Sequence, residues 1–423
     1  MANEHYFLAA TAILFFYAGF WLLRLADLVR TLMALPEIPL GRSALPDGNL
    51  PLISVVVPAH NEEAVIAGCL ESVLRQDYPY FELIIVDDRS QDRTSPIARS
   101  LGDGNDAVKV ISVNDLPEGW TGKCHALSIG VRYARGEWLA FLDADSRIHP
   151  CTLRECYWEA LRNKVSMVTL TPGLVLKGFW EKALQPVFFG MYGTVYPLGS
   201  VNDPKSKVAS ANGMFYLISR RAYDLIGGHH CVKGLAVEDI GIGKRVKAAG
   251  LGLLFVNGRK LLQTRMYTTL GEIVEGWARI LAASMNYRLP TVVRHLITHS
   301  IISLPIMAAA YWCYAAGAPA FWPWALLPLV GVMEVSLASF LFYPLLGVPR
   351  RYSVLAILGD MTLVAVLGLI LKRILHRDAL SWRGTTYPFS RHQPAPLEPL
   401  SSGRSEIRGT TPSSGEVLNE PLF

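Results

Sequence analysis

The sequence predicts an α/β protein built on a mostly parallel sheet, with transmembrane helices at both ends. Three observations predict it. Short β-branched runs alternate with helical patterns between about residues 50 and 150. Acidic residues gather where those runs end. Long apolar blocks flank the whole region, an uncharged one before it and three after it.

The elements follow in order. "LISVVVPAHNEE" opens with a run suited to a buried parallel strand, and "EEAVIAGCLESVLRQ" spaces its apolar residues as a helix does. "FELIIVDDRS" is a second strand, "SPIARSL" a short helix and "VKVISV" a third strand. "CHALSIGVRYARG" predicts a helix closed by Gly136, and "EWLAFLDAD" a fourth strand. This alternation places helices on both faces of the sheet, and in such sheets ligands bind beyond the carboxyl ends of the strands.

Composition bounds the rest. Of 423 residues, 51% are hydrophobic and 18% charged, too apolar for an ordinary soluble enzyme. The excess lies in residues 7–23, which carry no charge, and in blocks at about 296–317, 321–346 and 353–371. The expected layout is an N-terminal transmembrane anchor over 1–30, a globular domain over 50–290 and a C-terminal membrane region over 296–372. A disordered Pro-, Ser- and Gly-rich tail follows over 388–423. "MANEHY" lacks the basic start of a cleaved signal, and Arg24 and Arg30 put the globular domain in the cytoplasm. Three full spans at the C-terminal end would put the basic "KRILHRDALSWRG" outside, so the region is read as two or three spans with one interfacial. Glu334 and Asp360 are the acids inside these blocks, each either functional or paired with a neighbouring helix. The net charge of +5 suits a lipid bilayer surface and gives no sign of nucleic acid. Six scattered cysteines without a CxxC pair read as reduced thiols.

The chemistry is expected at the strand ends. Glu62 follows the first strand, Asp87 and Asp88 end the second, and Asp143 and Asp145 follow the fourth. Like charges grouped at one rim repel, so a hard divalent cation, Mg²⁺ or Mn²⁺, shared with substrate phosphates is the economical partner. The glycine cradles are missing: "PAHNEE" stands where a G-x-G-x-x-G would, and "GWTGKCHA" has no Ser or Thr after Lys123.

Five pieces in this order, "VVVPAHNEE", "IIVDDRSQDRT", "GKCHAL", "FLDADS" and "VEDIGIGKRVKAAG", resemble family 2 glycosyltransferases of the GT-A fold. "ANGMFYLISRRAYDLIGGH", "EGWARI" and "SWRGTTY" resemble the hopene-associated branch, which implies lipid glycosylation in bacterial membranes. The resemblance implies a UDP-sugar donor, a membrane lipid acceptor and a multi-pass protein of the bacterial cytoplasmic membrane. It implies Asp145 as the metal ligand, and Asp143, Asp87, Asp88, Glu62 and Lys123 on the nucleotide side. Asp239 is implied as the catalytic base, with Glu238 beside it. The chain departs from the family where Trp277 and Arg279 replace the Q-x-x-R-W of polysaccharide synthases, and where Met214 stands in place of the usual Gln.

Plainer readings stand beside these. Ser90 or Asp92 caps a helix; Glu62 and Glu63 suit a first turn, the reading preferred for Glu63; and capping accounts for at most one of Glu238 and Asp239. His229 and His230 read as loop residues rather than metal ligands. Lys244, Arg245 and Lys247 read as a solvated helix face. Tyr192, Tyr196 and Trp180 line an acceptor groove or pack in the core or at the membrane interface. The other functions weighed are a polysaccharide synthase, a nucleotidyltransferase and a membrane protein that binds nucleotide-sugar without turnover.

Overall fold

Strand β1 (Ile53–Ala59) can lie inside a sheet because its run is apolar on both faces. In the computed structural model Val55 and Val57 pack into one core layer and Val56 into the other. The described residues are 35–41, 50–300, 335–378 and the strands at 380–382 and 385–387, with single positions at 16, 19, 22, 23, 26, 332 and 333. Apart from those single positions, the expected anchor over 1–30 lies outside them, as do residues 301–317 and 321–331 of the apolar blocks, Glu334 and the tail over 388–423.

Strands β2 (Phe81–Asp88) and β3 (Val108–Val113) extend the sheet on one side of β1, and β4 (Trp138–Leu142) on the other, all in parallel. Helices α1 (Ile66–Leu74), α2 (Thr94–Gly102) and α3 (Gly122–Tyr133) make the connections. Growth of the sheet reverses between β1 and β4, so a crevice opens beyond their carboxyl ends. The expected alternation is therefore present, with one correction: α3 ends before Gly136, at an extended Ala134. Gly136 instead brings the chain against β1, where a Cβ would meet Ser54 N at 2.6 Å and Leu52 O at 2.7 Å.

The second half adds β5 (Ser146–Ile148), α4 (Thr152–Asn163), β6 (Met167–Thr171), β7 (Gly173–Leu174), α5 (Phe179–Val195) and α6 (Leu198–Asn202). Then come β8 (Phe215–Ser219), α7 (Arg220–Leu225), α8 (Glu238–Ala248), β9 (Leu253–Asn257) and β10 (Leu262–Thr264). The seven-stranded order is β3-β2-β1-β4-β8-β6-β9, with β5-β10-β7 as a small second sheet. Strand β8 runs antiparallel to both neighbours. The outer edge at β9 is covered: Glu37 bridges Asn257, whose N–H donates to Pro36 O, and Ile38 is buried.

A third apolar layer joins α5, α9 (Leu270–Ser284) and α10 (Ala356–His376). Gly359 lets α10 approach α5 closely, since a Cβ there would lie 2.6 Å from Ala183 O. The helical segment Arg350–His376 spans 27 residues at mean hydropathy 2.5, long and apolar enough to cross a membrane by length and composition. It is the one such segment among the described residues, so spans at both ends are not established. Asp360 on α10 is buried and meets His299 Nδ1 at 2.8 Å, the helix-pairing alternative for this acid. The "SWRGTTY" region forms an antiparallel pair, β11 (Leu380–Trp382) with β12 (Thr385–Tyr387).

Candidate active site

A cavity of about 330 Å³ opens at the β1–β4 crevice. Its polar half is lined by Glu62, Asp88, Lys123, Asp143, Asp145, Glu238 and Asp239. Each arrives by a simple device. Glu62 follows β1, where its own N–H donates to Thr94 Oγ1 at 2.7 Å. Asp88 ends β2 and is gripped by Arg89 through two bonds of 2.8 and 2.9 Å. Lys123 occupies the first turn of α3, which Thr121 caps by accepting from the Cys124 N–H. Asp143 and Asp145 follow β4, and the Asp143 N–H donates to Met214 O at the start of β8. Glu238 and Asp239 open α8, the acidic first turn that a helix N-terminus favours.

Lys123 ties the two ends of the site together. Its Nζ lies 2.7 Å from Asp143 Oδ1 and 2.9 Å from Glu238 Oε1. Burial pushes the Asp143 carboxyl up to about 6, against the pull of Lys123 and with the push of Asp145. Burial works the same way on Glu238, but there the Lys123 charge and contact win and hold it below the usual range. Asp239 is pushed up to about 7, first by burial and then by the Glu238 charge. Its Oδ2 accepts the Gly213 N–H at 2.6 Å and its Oδ1 the Ile240 N–H at 2.8 Å. Each oxygen keeps a second lone pair, so the carboxylate is held in place and can still take a proton.

Among the described residues no three His, Cys, Asp or Glu side chains converge as a metal cage. The donor set nevertheless fits a hard divalent cation completed by phosphates and water, which needs one or two carboxylates. Asp145 lines the cavity and is half-buried, its Oδ1 contacted by Ser146 Oγ at 3.2 Å. The carboxylates around Lys123 outnumber its single positive charge, which favours an added cation.

Asp87 does not line the cavity; it is buried and accepts the Ser90 N–H at 3.3 Å, holding the turn after β2. Asp92 takes the capping role at α2 by accepting from Thr94 N and from its hydroxyl. Glu63 accepts the Arg93 N–H. His229 is fully buried between the Tyr216 and Tyr223 hydroxyls at 3.0 and 2.7 Å, and burial pushes it down to about 3. It is a core histidine rather than a loop residue. The solvated face expected for Lys244, Arg245 and Lys247 is also corrected. Arg245 is buried on Ile226 O, and Lys247 Nζ donates to Ser200, Val201 and Val208 carbonyls. Lys244 is half-buried, and burial lowers it. These cations staple α8 to the domain because its N-terminus carries the site.

The other half of the cavity is apolar, with Phe189, Tyr192, Met266, Tyr267, Trp277 and Leu346 among its walls. Tyr192 lines it, its hydroxyl 2.6 Å from Ser210 Oγ. Tyr196 does not: it is core, donating to Ser284 O. Trp180 packs on Phe179 away from the lining. Sequence reasoning missed Gly213, Gln185 and Tyr267. Gln185 receives the Trp277 indole N–H at 2.8 Å and donates to Tyr267 O at 3.0 Å. Arg279 donates to Ala236 O, just ahead of Glu238, and reaches the Tyr267 hydroxyl. A signal existed only for Gly213, in the Asn-Gly that precedes a strand.

A carboxylate rim at the switch point of a mostly parallel sheet, with a later acidic helix start facing it, defines a GT-A nucleotide-sugar fold. The comparisons agree. Residues 54–225 match the model of glycosyl transferase family 2. A 4,4'-diaponeurosporenoate glycosyltransferase of Staphylococcus aureus is 27% identical over 256 residues, 59% of this chain and 66% of that protein. The chain thus spans just under two thirds of that relative's length. A mannosyltransferase from Pyrobaculum calidifontis, solved with GDP-Man and Mn2+, superposes with a TM-score of 0.52 at 18% identity. That match covers 88% of this chain and 99% of the other, and it shows the shared fold. Residues 54–225 are thus similar to family 2 glycosyltransferases, on a GT-A fold.

Proposed function

We propose that this protein is a membrane-bound, inverting, metal-dependent glycosyltransferase that moves a sugar from a nucleoside-diphosphate sugar, a UDP-sugar, to a membrane lipid. One observation carries the reading: the Asp143–Asp145 pair and Asp239 face one cavity, where Lys123 pairs with Asp143 and with Glu238, the neighbour of Asp239. Support comes from the S. aureus relative, whose name describes a glycosyltransferase for 4,4'-diaponeurosporenoate, and from the Mn2+ and GDP-Man in the structural neighbour. The hopanoid link and a bacterial inner-membrane, multi-pass location with a cytoplasmic domain rest on the sequence resemblance and on the apolar helix α10.

The chain's own residues divide the work. Glu62 and Asp88 face the nucleoside side, and Arg89 holds the Asp88 carboxylate in place. Asp145, with Asp143 beside it, would hold the divalent cation; when bound, it offsets the charge that builds on the leaving diphosphate. Lys123 places a positive charge next to that diphosphate and restrains Asp143 and Glu238. Asp239 takes the acceptor hydroxyl proton while the oxygen attacks the anomeric carbon. A base poised near neutral pH is best matched to that task, and Asp239 is pushed up to about 7. A single displacement from the Asp239 side inverts the configuration.

Calorimetric titration of UDP, and of GDP, with and without Mn²⁺ tests the donor side. Nucleotide binding is expected to depend on Mn²⁺, and Asp145→Asn to weaken the Mn²⁺-dependent part by about tenfold or more, since one ligand charge is lost. Binding indifferent to both Mn²⁺ and Asp145 would overturn the metal assignment.

A further inference from the structure

The polar half of the cavity is accounted for by donor and base. The apolar half is not, and it is closed by a part of the chain remote from the sheet. The turn Tyr343–Leu346 supplies Leu345 and Leu346 to the lining, and Phe342 just before it supplies a ring. This turn rests on two glycines. A Cβ at Gly190 of α5 would meet the Phe342 ring at 3.4 Å, and Gly347 closes the turn in the left-handed region at φ +72°, where an added Cβ would lie 4.0 Å from Gly173 Cα of β7. Its third seat is polar. The Arg259 guanidinium donates to Pro344 O and also faces Glu37 at 3.4 Å, while Lys260 holds the same carboxylate at 2.7 Å. Arg259 itself follows β9 and is outside the lining. Its backbone carbonyl lies where a Cβ on Gly173 would be 2.6 Å away.

The same half is bounded by α5 and α9, the two helices on which the apolar α10 packs. It meets the polar half at Tyr192, beside Asp239, whose charge helps raise the Tyr192 hydroxyl after burial. A ligand that filled both halves would carry a polar end at Asp239 and an uncharged hydrocarbon body against Trp277, Tyr267 and Leu346. The acids on the lining outnumber its cations Arg89, Lys123 and Arg279, and so disfavour a second negative charge at the junction.

We propose that this apolar half binds the hydrocarbon of an uncharged alcohol acceptor, and that Arg259 is the positioning residue that seats its outer wall. The proposal rests on the glycosyltransferase reading for the identity of the reacting end. Arg259 touches no reacting atom. It fixes the turn that decides how wide the slot is, and so sets acceptor binding without altering donor binding.

The test uses the full chain in phosphatidylglycerol vesicles and a diazirine-bearing sixteen-carbon alcohol as probe, with crosslinked peptides mapped by mass spectrometry. Labelling is expected within 267–281 and 342–346. Arg259→Ala should lower it about fivefold, Arg259→Lys should restore at least about half, and the Kd for UDP with Mn²⁺ should stay within about twofold. Leu346→Trp, which fills the slot from the wall and leaves Arg259 in place, is expected to lower labelling by a similar factor. Labelling that persists in both variants, or that falls only on the outward face of α10 around Met361 and Leu375, would overturn the proposal. Failure of the wild type to bind UDP or GDP with Mn²⁺ would instead strike the glycosyltransferase reading, whatever the labelling pattern.

Discussion

The two halves of the cavity are built by opposite rules. The proposed donor half collects residues from strand ends and helix starts, where the chain must turn anyway, and it is charged, tied by ion pairs and backbone N–H groups. The proposed acceptor half takes two or three residues each from α5, α9, the segment before α9 and the turn near residue 345, and it is held by packing and one side-chain relay through Gln185. Fixed charges need precise neighbours because an unpaired buried charge is costly. Apolar walls tolerate exchange provided volume is kept. Chemistry should therefore be sensitive in the first half and selectivity adjustable in the second.

The strongest way to break that contrast is Asp239→Asn. It keeps the shape and removes the base, so kcat should fall by roughly 10²–10⁴-fold with nucleotide affinity retained. Steady-state rates beside UDP titration check it, and a variant keeping more than about a tenth of the activity would reassign the base. Next is Gly213→Ala. The added Cβ would lie 2.9 Å from Lys123 Nζ and 3.0 Å from Asp239 Oδ2, displacing both. A loss of about ten- to a hundredfold in kcat is expected, with an unchanged melting transition, because misplacement rather than unfolding is the cause. Trp277→Leu probes the other half. It removes the stack on Phe188 and leaves the Gln185 oxygen without its indole partner. Acceptor KM should rise by about fivefold with donor KM unchanged, and a matched fall in donor affinity would show that the halves are not separable.

The smallest effect sharpens the electrostatics. As the proposed base, Asp239 would act in its ionised form, so kcat/KM for the uncomplexed enzyme should rise with pH through about 7. Burial and the Glu238 charge both raise Asp239. Glu238→Gln removes the second cause, so the rising limb should move to lower pH; a limb that stays in place would mean that another group controls it.

The same contrast explains what was legible in the sequence. β1 to β4 and their helices were readable because each is a short run with its own period and its own turn. Asp143, Asp145 and Asp239 were readable because they interrupt apolar runs at strand ends or open a helix. Asp87 looked equivalent to Asp88, yet alternation along β2 sends only one of two adjacent side chains into the cavity; the other holds a turn. The burial of Arg245 and Lys247 was not legible, since their partners are backbone carbonyls from α6, the loop after it and residue 226, a long way off in sequence. Trp277 was noticed, but its partner Gln185 lies 92 residues away, and no local pattern announces such a pair.

Strand β8 runs against its neighbours, and that single inversion has a consequence for how this chain can change over time. An antiparallel strand begins at the rim where parallel strands finish, so Gly213 and Met214 enter the site from a backbone travelling the other way. The residues proposed for the sugar nucleotide, Glu62, Asp88, Lys123, Asp143 and Asp145, precede this seam; α8, α9 and the turn near 345 follow it. A lineage could trade those later segments, swapping one greasy recipient for another, while the older phosphate-handling machinery passed through untouched.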